Sequence, residues 1–250
     1  IHVVAEIQVR LTVDLRTLPT EHLLQAHRRG GDATFGQRQR AHPDRLDPPG
    51  AGVGARRRGS RQEELSRTFG ADEYRAFVGD ISDEAFVKDS VAAIKEIGHI
   101  DLLINNAGIL HVETLDNMDF ASLLEQFKVN ALGALHVTRA LLSNLRDGAK
   151  IINITSRMGS LDDNTSGGYY GYRMSKAALN MATRSMAVDL KSRGIVVVAM
   201  HPGMVQTDLT RGFGMLTPAE SVSGMNQVID KLTIEQSGLF LHYQGTTLPW

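Results

Sequence analysis

The chain has 250 residues, no cysteine, 42% hydrophobic residues and a formal net charge of −1 at pH 7. That length suits one large α/β domain with a sizeable core, and the lack of cysteine excludes a disulfide framework and thiolate chemistry. No apolar run approaches the roughly 18 residues that span a bilayer and nothing at the start reads as a signal peptide, so a cytoplasmic location is the expectation.

Ile1 to Arg16 alternates, with apolar residues at every odd position from Ile1 to Leu15, which predicts a strand with one wet face. Pro19 to Arg61 has little periodicity and is dense in Arg, Gly and Pro, including Pro48-Pro49-Gly50-Ala51-Gly52-Val53-Gly54. A phosphate-cradling glycine loop must follow an apolar strand and open a helix, whereas prolines precede these glycines and Arg56-Arg57-Arg58 follows, so the cluster reads as a loop. Residues 1–62 carry 11 Arg, no Lys and 6 acids, a balance of +5; with −1 overall, residues 63–250 carry −6. The arginines lack the aromatic interleaving, zinc spacing or recognition helix of a nucleic-acid reader, and no metal site is read from the histidines.

From about Ser66 the pattern becomes regular. Tyr74 to Val78 predicts a strand ending at Gly79-Asp80, Asp83 to Ile97 a helix with an acidic start, and Ile100 to Ile104 a strand ending in Asn105-Asn106-Ala107-Gly108, together a parallel βαβ unit. A long helix is predicted over Phe120 to Leu145, with Leu124, Phe127, Ala131, Leu135, Thr138 and Leu142 on one side and Leu123, Leu132 and Leu141 on others, so more than the sheet must cover it. Asn130, a poor helix former inside it, marks a local break, a polar task or mere tolerance. Ile151 to Thr155 predicts a strand ending at Ser156, Leu161 to Gly168 a polar loop, Ile195 to Met200 a buried strand closed by Pro202-Gly203, and Gly238 to Tyr243 the last strand. Between these lies a helix expected to bury Met174, Ala177, Ala178, Met181, Ser185 and Met186.

That helix opens with Tyr169-Tyr170-Gly171-Tyr172-Arg173-Met174-Ser175-Lys176. One turn separates Tyr172 from Lys176, so a phenol and an ammonium share a face. A unit charge about 5 Å away at an effective dielectric of about 20 contributes roughly 3 kcal/mol, or about two pKa units, so Lys176 is expected to lower the phenol toward the range of a useful acid–base. A lone Y-x-x-x-K is more often a solvated helical turn.

Taken together, these pieces resemble the short-chain dehydrogenase/reductase superfamily: Asp80-Ile81, Asn105-Asn106-Ala107-Gly108, Asn130, Ser156, Tyr172-x-x-x-Lys176, then Pro202-Gly203 with Thr207, in that family's order over about residues 63–250. The Gly167 to Met174 stretch and the ending through Leu248-Pro249-Trp250 look most like the subgroup of C-factor and sniffer-type carbonyl reductases. The resemblance implies a single doubly wound, Rossmann-type α/β domain in three αβα layers. It implies an NAD(P)H-dependent oxidoreductase that moves hydride between nicotinamide and a small-molecule carbonyl or secondary alcohol, with a slight lean to NADP over NAD. In it, Tyr172 exchanges a proton with the substrate oxygen, Ser156 polarises that oxygen, Lys176 lowers the Tyr172 pKa and holds the nicotinamide ribose, and Asn130 seats a water. Asp80, Asn105, Ala107 and Gly108 serve the adenosine end, Asn105 also pinning the strand ends together; Pro202, Gly203 and Thr207 face the nicotinamide and phosphates. The alternative is a cofactor-binding or signalling protein of the same fold without turnover. Leu161 to Gly168 and His201 to Leu216 are expected to cover the pocket, the latter hinging at Gly212 and Gly214, and the long helix to form a homodimer through its outer face.

One part of the family pattern is missing. No Thr-Gly-x-x-x-Gly-x-Gly loop appears; Gly30, Gly31 and Gly36 lie about where it is expected, but Leu24 to Arg29 before them is no apolar strand. The opening on Ile, the Arg/Gly/Pro excess ending near Arg61 and the onset of the resemblance there motivate the expectation that residues 1–62 come from a shifted frame or misassigned gene start. A chain so altered is expected to fold poorly, bind cofactor weakly or be inactive.

Overall fold

Apolar segments bounded by Asn, Gly and Pro form a sheet, and the helices between them cover both its faces. The computed structural model describes residues 5–6, 9–10, 78–95 and 98–250, all within the unit formed by Ile1–Val13 and Phe77–Trp250. The expectations for the rest of residues 1–77, including the Pro19 to Arg61 loop, the altered-frame segment and most of the Tyr74 to Val78 strand, lie outside the described residues. The strands are β1 (Ala5–Glu6), β2 (Val9–Arg10), β3 (Val78–Gly79), β4 (Ile100–Asn105), β5 (Leu145–Ile154), β6 (Val196–His201) and β7 (Phe240–His242). The helices are α1 (Glu84–Lys95), α2 (Phe120–Phe127), α3 (Gly133–Leu141), α4 (Tyr170–Asp189) and α5 (Pro218–Lys231), with a π turn, Lys128–Leu132, joining α2 to α3.

Strands β4 to β7 are parallel and lie side by side in chain order, with Asn105 opposite Asn153, Asn153 opposite Ala199 and Met200 opposite Leu241. Alternate side chains feed two cores. Ile151 and Val197 face α1, α3 and α4 with Val87, Leu141 and Met186, whereas Ile152, Val198 and Met200 face α5 with Ile229. The fold is therefore the doubly wound α/β arrangement in three layers, its sheet hidden on both sides. On the open side of β4, β2 pairs antiparallel, Val9 opposite Leu103, whereas β1 and β3 pair antiparallel with each other in a separate two-stranded sheet, so over the described residues β3, α1 and β4 do not form the expected parallel βαβ unit. A strand as buried as β4 needs partners for its backbone groups on that side, and the alternating N-terminal segment supplies them over the described residues.

Three expectations need correction. The long helix ends at Leu141 and β5 begins at Leu145, because Ile100 pairs with Leu145 and Ile100 N donates to Asn144 O at 2.8 Å, drawing these residues into the sheet. The buried stripe of that helix runs through Gln126, Asn130, Ala134, Val137 and Leu141; of the expected side Ala131 and Thr138 are buried, while Leu124, Phe127 and Leu142 are exposed. Polar residues hold inward positions because each has a hydrogen-bonding task there. Helix α4 likewise buries Tyr172, Ser175, Lys176, Leu179, Asn180, Thr183 and Met186, and leaves Met174, Met181 and Ser185 outside.

A chain of amides and hydroxyls joins the layers. Asn105 Nδ2 donates to Asn153 Oδ1 (2.8 Å) and Thr138 Oγ1 (3.1 Å), and Asn153 Nδ2 donates to Thr183 Oγ1 (2.9 Å). Asn105 thus pins the ends of β4 and β5 as expected, and the chain continues into α4. Replacing Asn153 by Ala removes the central link and strands buried polar atoms on both sides; urea denaturation should show a loss of about 1–3 kcal/mol.

Candidate active site

The site lies beyond the carboxyl ends of the parallel strands, where this architecture leaves backbone and loop groups free to meet a ligand. Ser156 follows β5 and caps the short turn Arg157–Gly159, its Oγ accepting from Met158 N at 3.1 Å. A Cβ on Gly159 would stand 2.8 Å from the Lys176 carbonyl carbon, so only glycine lets this turn lie directly on α4. Ser156 is thereby set beside the Tyr172 phenol, near enough to ease its ionisation. Lys176 Nζ lies 5.7 Å from the Tyr172 ring centroid and donates to Ile154 O at 3.0 Å.

Asn130 sits in the π turn, the local break its helix propensity suggested, and it has a polar task as well. Its Oδ1 accepts from Ile109 N at 2.7 Å; its Nδ2 donates to Ile109 O and to Ser175 Oγ, each at 2.9 Å, and Ser175 Oγ donates to Tyr172 O at 2.8 Å. The amide therefore braces the loop after β4 against α4, leaving only the second acceptor site of Oδ1 for the expected water. Gly108 is wedged into the same corner: a Cβ there would stand 3.3 Å from Asn130 Oδ1 and 3.4 Å from Lys176 Nζ. Asn130, Ser156, Tyr172, Lys176 and Gly108 converge.

Asn105 and Ala107 line a small adjacent cavity with Ile81, Asn106, Ala134 and Val137. Pro202 O accepts from Ser221 Oγ at 2.6 Å, and Gly203, at φ +83°, leaves no room for a side chain against Leu216 and Tyr243. Among the described residues, Asp80 and Thr207 bond within their own turns, Asp80 Oδ1 accepting from Ser82 N at 2.8 Å and Thr207 N donating to Thr210 Oγ1 at 3.0 Å. Neither touches the convergent group.

The expected electrostatics are corrected by burial. Desolvation pushes the Tyr172 phenol above its ordinary range, with the Ser156 hydrogen bond opposing it, and lowers Lys176 to about 8. Burial disfavours both charged forms, and for Tyr172 that outweighs the attraction expected from the ammonium. His201, before Pro202, is lowered to about 4 by burial and then by His242 and Arg157 nearby.

The two loops expected to cover the pocket differ. Arg173 donates to Gly168 O at 3.1 Å and Ser166 Oγ at 2.8 Å, while Leu161 N and Asp162 N each donate to Trp250 O at 3.0 Å, so the first loop is tied down at both ends. In the second, Arg211 (φ +53°) and Gly212 (φ +79°) form a left-handed turn. Gly214 is not a second hinge of that kind: a Cβ on it would fall 2.7 Å from the Met204 carbonyl oxygen, so its role is close backbone approach. A cavity of about 610 Å³ lies beside α2, lined by His111, Glu113, Asp119 and Glu125 among others but not by Tyr172. Asp119 already caps α2, and Glu125 lies 3.7 Å from His111.

The sequence reading missed Ser175, Arg173, Glu113 and Gln126. Each resembles an ordinary surface residue, and only the placement of Gln126 among apolar neighbours hinted at burial.

A family model described as short chain dehydrogenase matches residues 40–214, starting ahead of the composition break near residue 62. The chain is 53% identical over 156 residues to the C-signal of Myxococcus xanthus, covering 61% of this chain and 94% of that protein. It is similar in structure to the carbonyl reductase Sniffer of D. melanogaster, with a TM-score of 0.72, 31% identity and 78% of this chain and 85% of that one covered. An NADPH-bound carbonyl reductase from chicken fatty liver matches with a TM-score of 0.65 and 34% identity, over 68% of this chain and 72% of that one. The resemblance drawn from the motifs is borne out.

The buried lysine makes stability depend on pH. An unfolded Lys176 holds its proton up to about pH 10.5, whereas the folded one releases it near 8, so stability rises as pH increases through that window. Between pH 8 and about 9.5, below the ordinary phenol pKa of about 10, the wild-type chain should gain about 1–2 kcal/mol in urea denaturation, and Lys176→Met should lose that gain.

Proposed function

The chain belongs to the short-chain dehydrogenase family and is thereby an oxidoreductase, and from that premise we propose that it reduces small carbonyl compounds with NADPH, the reverse oxidation of secondary alcohols running through the same residues. The observation carrying this reading is the convergence of Ser156, Tyr172, Lys176 and Asn130 in one buried corner. The described half of the site fits a nicotinamide nucleotide: Gly108 leaves a cradle bounded by Asn130 and Lys176, and the small cavity under Ala107 adjoins it. Asp80, Asn105, Ala107 and Gly108 would hold the adenosine end, Lys176 the nicotinamide ribose, and Pro202, Gly203 and Thr207 the nicotinamide side. The lean to NADP over NAD is supported by likeness to a reductase solved with NADPH.

Bound there, the nicotinamide supplies the hydride. The protein must then stabilise and protonate the oxygen on which negative charge develops. Ser156 Oγ donates a hydrogen bond to that oxygen, strengthening as charge builds. Tyr172 Oη gives it a proton, and a phenol whose pKa is raised by burial is fully protonated at neutral pH, as the reducing direction requires. Lys176, with a pKa of about 8, is mostly protonated at pH 7 and favours the phenolate left after transfer. Asn130 keeps the loop and α4 in register.

The second reading, a cofactor-binding or signalling protein without turnover, is favoured by 53% identity to C-signal. Tyr172→Phe separates the two. The reductase reading expects turnover to fall about 10²–10⁴-fold while NADPH affinity by fluorescence titration stays within about threefold; a signalling protein keeps its biological effect in the same variant. Unchanged turnover in Tyr172→Phe would overturn the mechanism.

A homodimer is part of this proposal. Phe120, Leu124 and Phe127 on α2 and Met174, Met181 and Val188 on the neighbouring α4 are all exposed, forming two apolar stripes on adjacent helices. Sedimentation at micromolar concentration should give a dimer that Leu124→Glu, at a position 62% exposed, converts to a monomer. No described helix is long and apolar enough to cross a membrane.

A further inference from the structure

Helix α4 carries the candidate acid, yet its own N-terminus is poorly made. The capping position is Tyr169, in a left-handed conformation (φ 54°, ψ 41°) and with no side-chain cap, where Ser, Thr, Asp or Asn would ordinarily accept from the first free amides. Those amides are met from elsewhere. Glu113, on the loop between β4 and α2, accepts from Tyr169 N through its main-chain oxygen at 2.9 Å and from Gly171 N through Oε2 at 3.2 Å. Its other carboxylate oxygen accepts from Ser122 Oγ at 3.0 Å and closely from Gln126 Nε2, both on α2. Gln126 is wholly buried, and its Oε1 accepts from His111 N at 3.0 Å. Glu113 itself is only 2% exposed. Gly171 completes the joint, since a Cβ there would fall 2.3 Å from Gln126 Nε2.

We propose that Glu113 is a positioning residue for Tyr172: its carboxylate caps the active-site helix from another segment of the chain at Gly171, one residue before the phenol, and so fixes where that helix begins. This rests on the reductase reading for its kinetic consequence and on geometry alone for its structural one. A carboxylate at a helix N-terminus is favoured by the free N–H groups and the helix dipole, so the contact both satisfies a buried donor and sets the helix against α2. A shift of about 1 Å in a group that must reach a reacting oxygen is enough to cost about 100-fold in rate, so a joint next to Tyr172 controls turnover without touching substrate.

The test compares the 250-residue wild type with Glu113→Ala, Glu113→Gln and Gly171→Ala, reading turnover of a small aldehyde or ketone with NADPH, the NADPH dissociation constant by fluorescence, and amide hydrogen exchange over residues 170–174. Glu113→Ala should lower kcat at least tenfold, leave NADPH affinity within twofold and speed exchange at Gly171 at least tenfold. Glu113→Gln, which keeps an acceptor for Gly171 N but turns an amide donor toward Gln126 Nε2, should recover part of the kcat. Gly171→Ala, which wedges the joint apart with the carboxylate in place, should reproduce the kcat loss. Wild-type kcat and exchange in Glu113→Ala would overturn the proposal, as would a Glu113→Gln no better than Glu113→Ala. If Glu113→Ala fails to fold, wild-type kcat in Gly171→Ala overturns it and a tenfold loss there upholds it. A wild type with no reductase turnover refutes the reductase reading, and exchange at Gly171 then decides the cap by itself.

Discussion

The inward face of α4 is polar, and the rest of the structure is arranged to satisfy it. A helix packed on a sheet normally presents apolar side chains, but this one turns Ser175, Lys176, Asn180 and Thr183 toward β5 and the π turn. Each would cost about 1–3 kcal/mol if left without a partner. Each has one: Asn130 for Ser175, Ile154 O for Lys176, Thr155 for Asn180 and Asn153 for Thr183. Strand β5 accordingly carries Asn153 on the same face as Ala149 and Ile151, where an aliphatic residue would pack better but leave α4 unpaired.

This arrangement fixes chemistry as well as packing. Directional bonds at successive turns of α4 set its rotation and its height on the sheet together, which apolar contacts alone constrain less sharply. The phenol and ammonium are consequently presented from a rigid element, and their protonation follows from how dry that element is. Loop Leu161 to Gly168 is tied to the same helix through Arg173, so it moves with α4, whereas the segment from Met204 to Leu216 is held chiefly to itself, through Gln206 N to Leu216 O and Met215 N to Met204 O, each 2.9 Å.

The parallel strands were legible because each is an apolar run closed by Asn, Ser, Pro or Gly, and residues at the closures of β4 and β5 meet at the candidate site. Tyr172 and Lys176 were legible through helical spacing, and Asn130 through its poor fit to a helix. What the pattern could not reveal is which helix face turns inward when that face is polar. Leu124, Met174 and Met181 look like core and lie outside; Gln126, Ser175 and Thr183 look like surface and are buried. Hydrophobic periodicity measures transfer from water and is blind to a buried group that has found its partner. The same blindness explains the Tyr172 pKa: spacing revealed the nearby charge but not the desolvation that outweighs it.

The π turn at Lys128–Leu132 has a further implication for how this chain tolerates change. One residue of an α-helix occupies about 100° of rotation, so the extra residue in a wider turn resets the angular phase between α2 and α3. Loss of a single residue from the turn would restore an unbroken α-helix and swing Gln126 out of its pocket by roughly a quarter turn, with every side chain still present. Substitutions along α2 are local events, but a one-residue deletion here is a rotation of the whole segment. The register of this helix is therefore a property of its residue count as well as of its side chains.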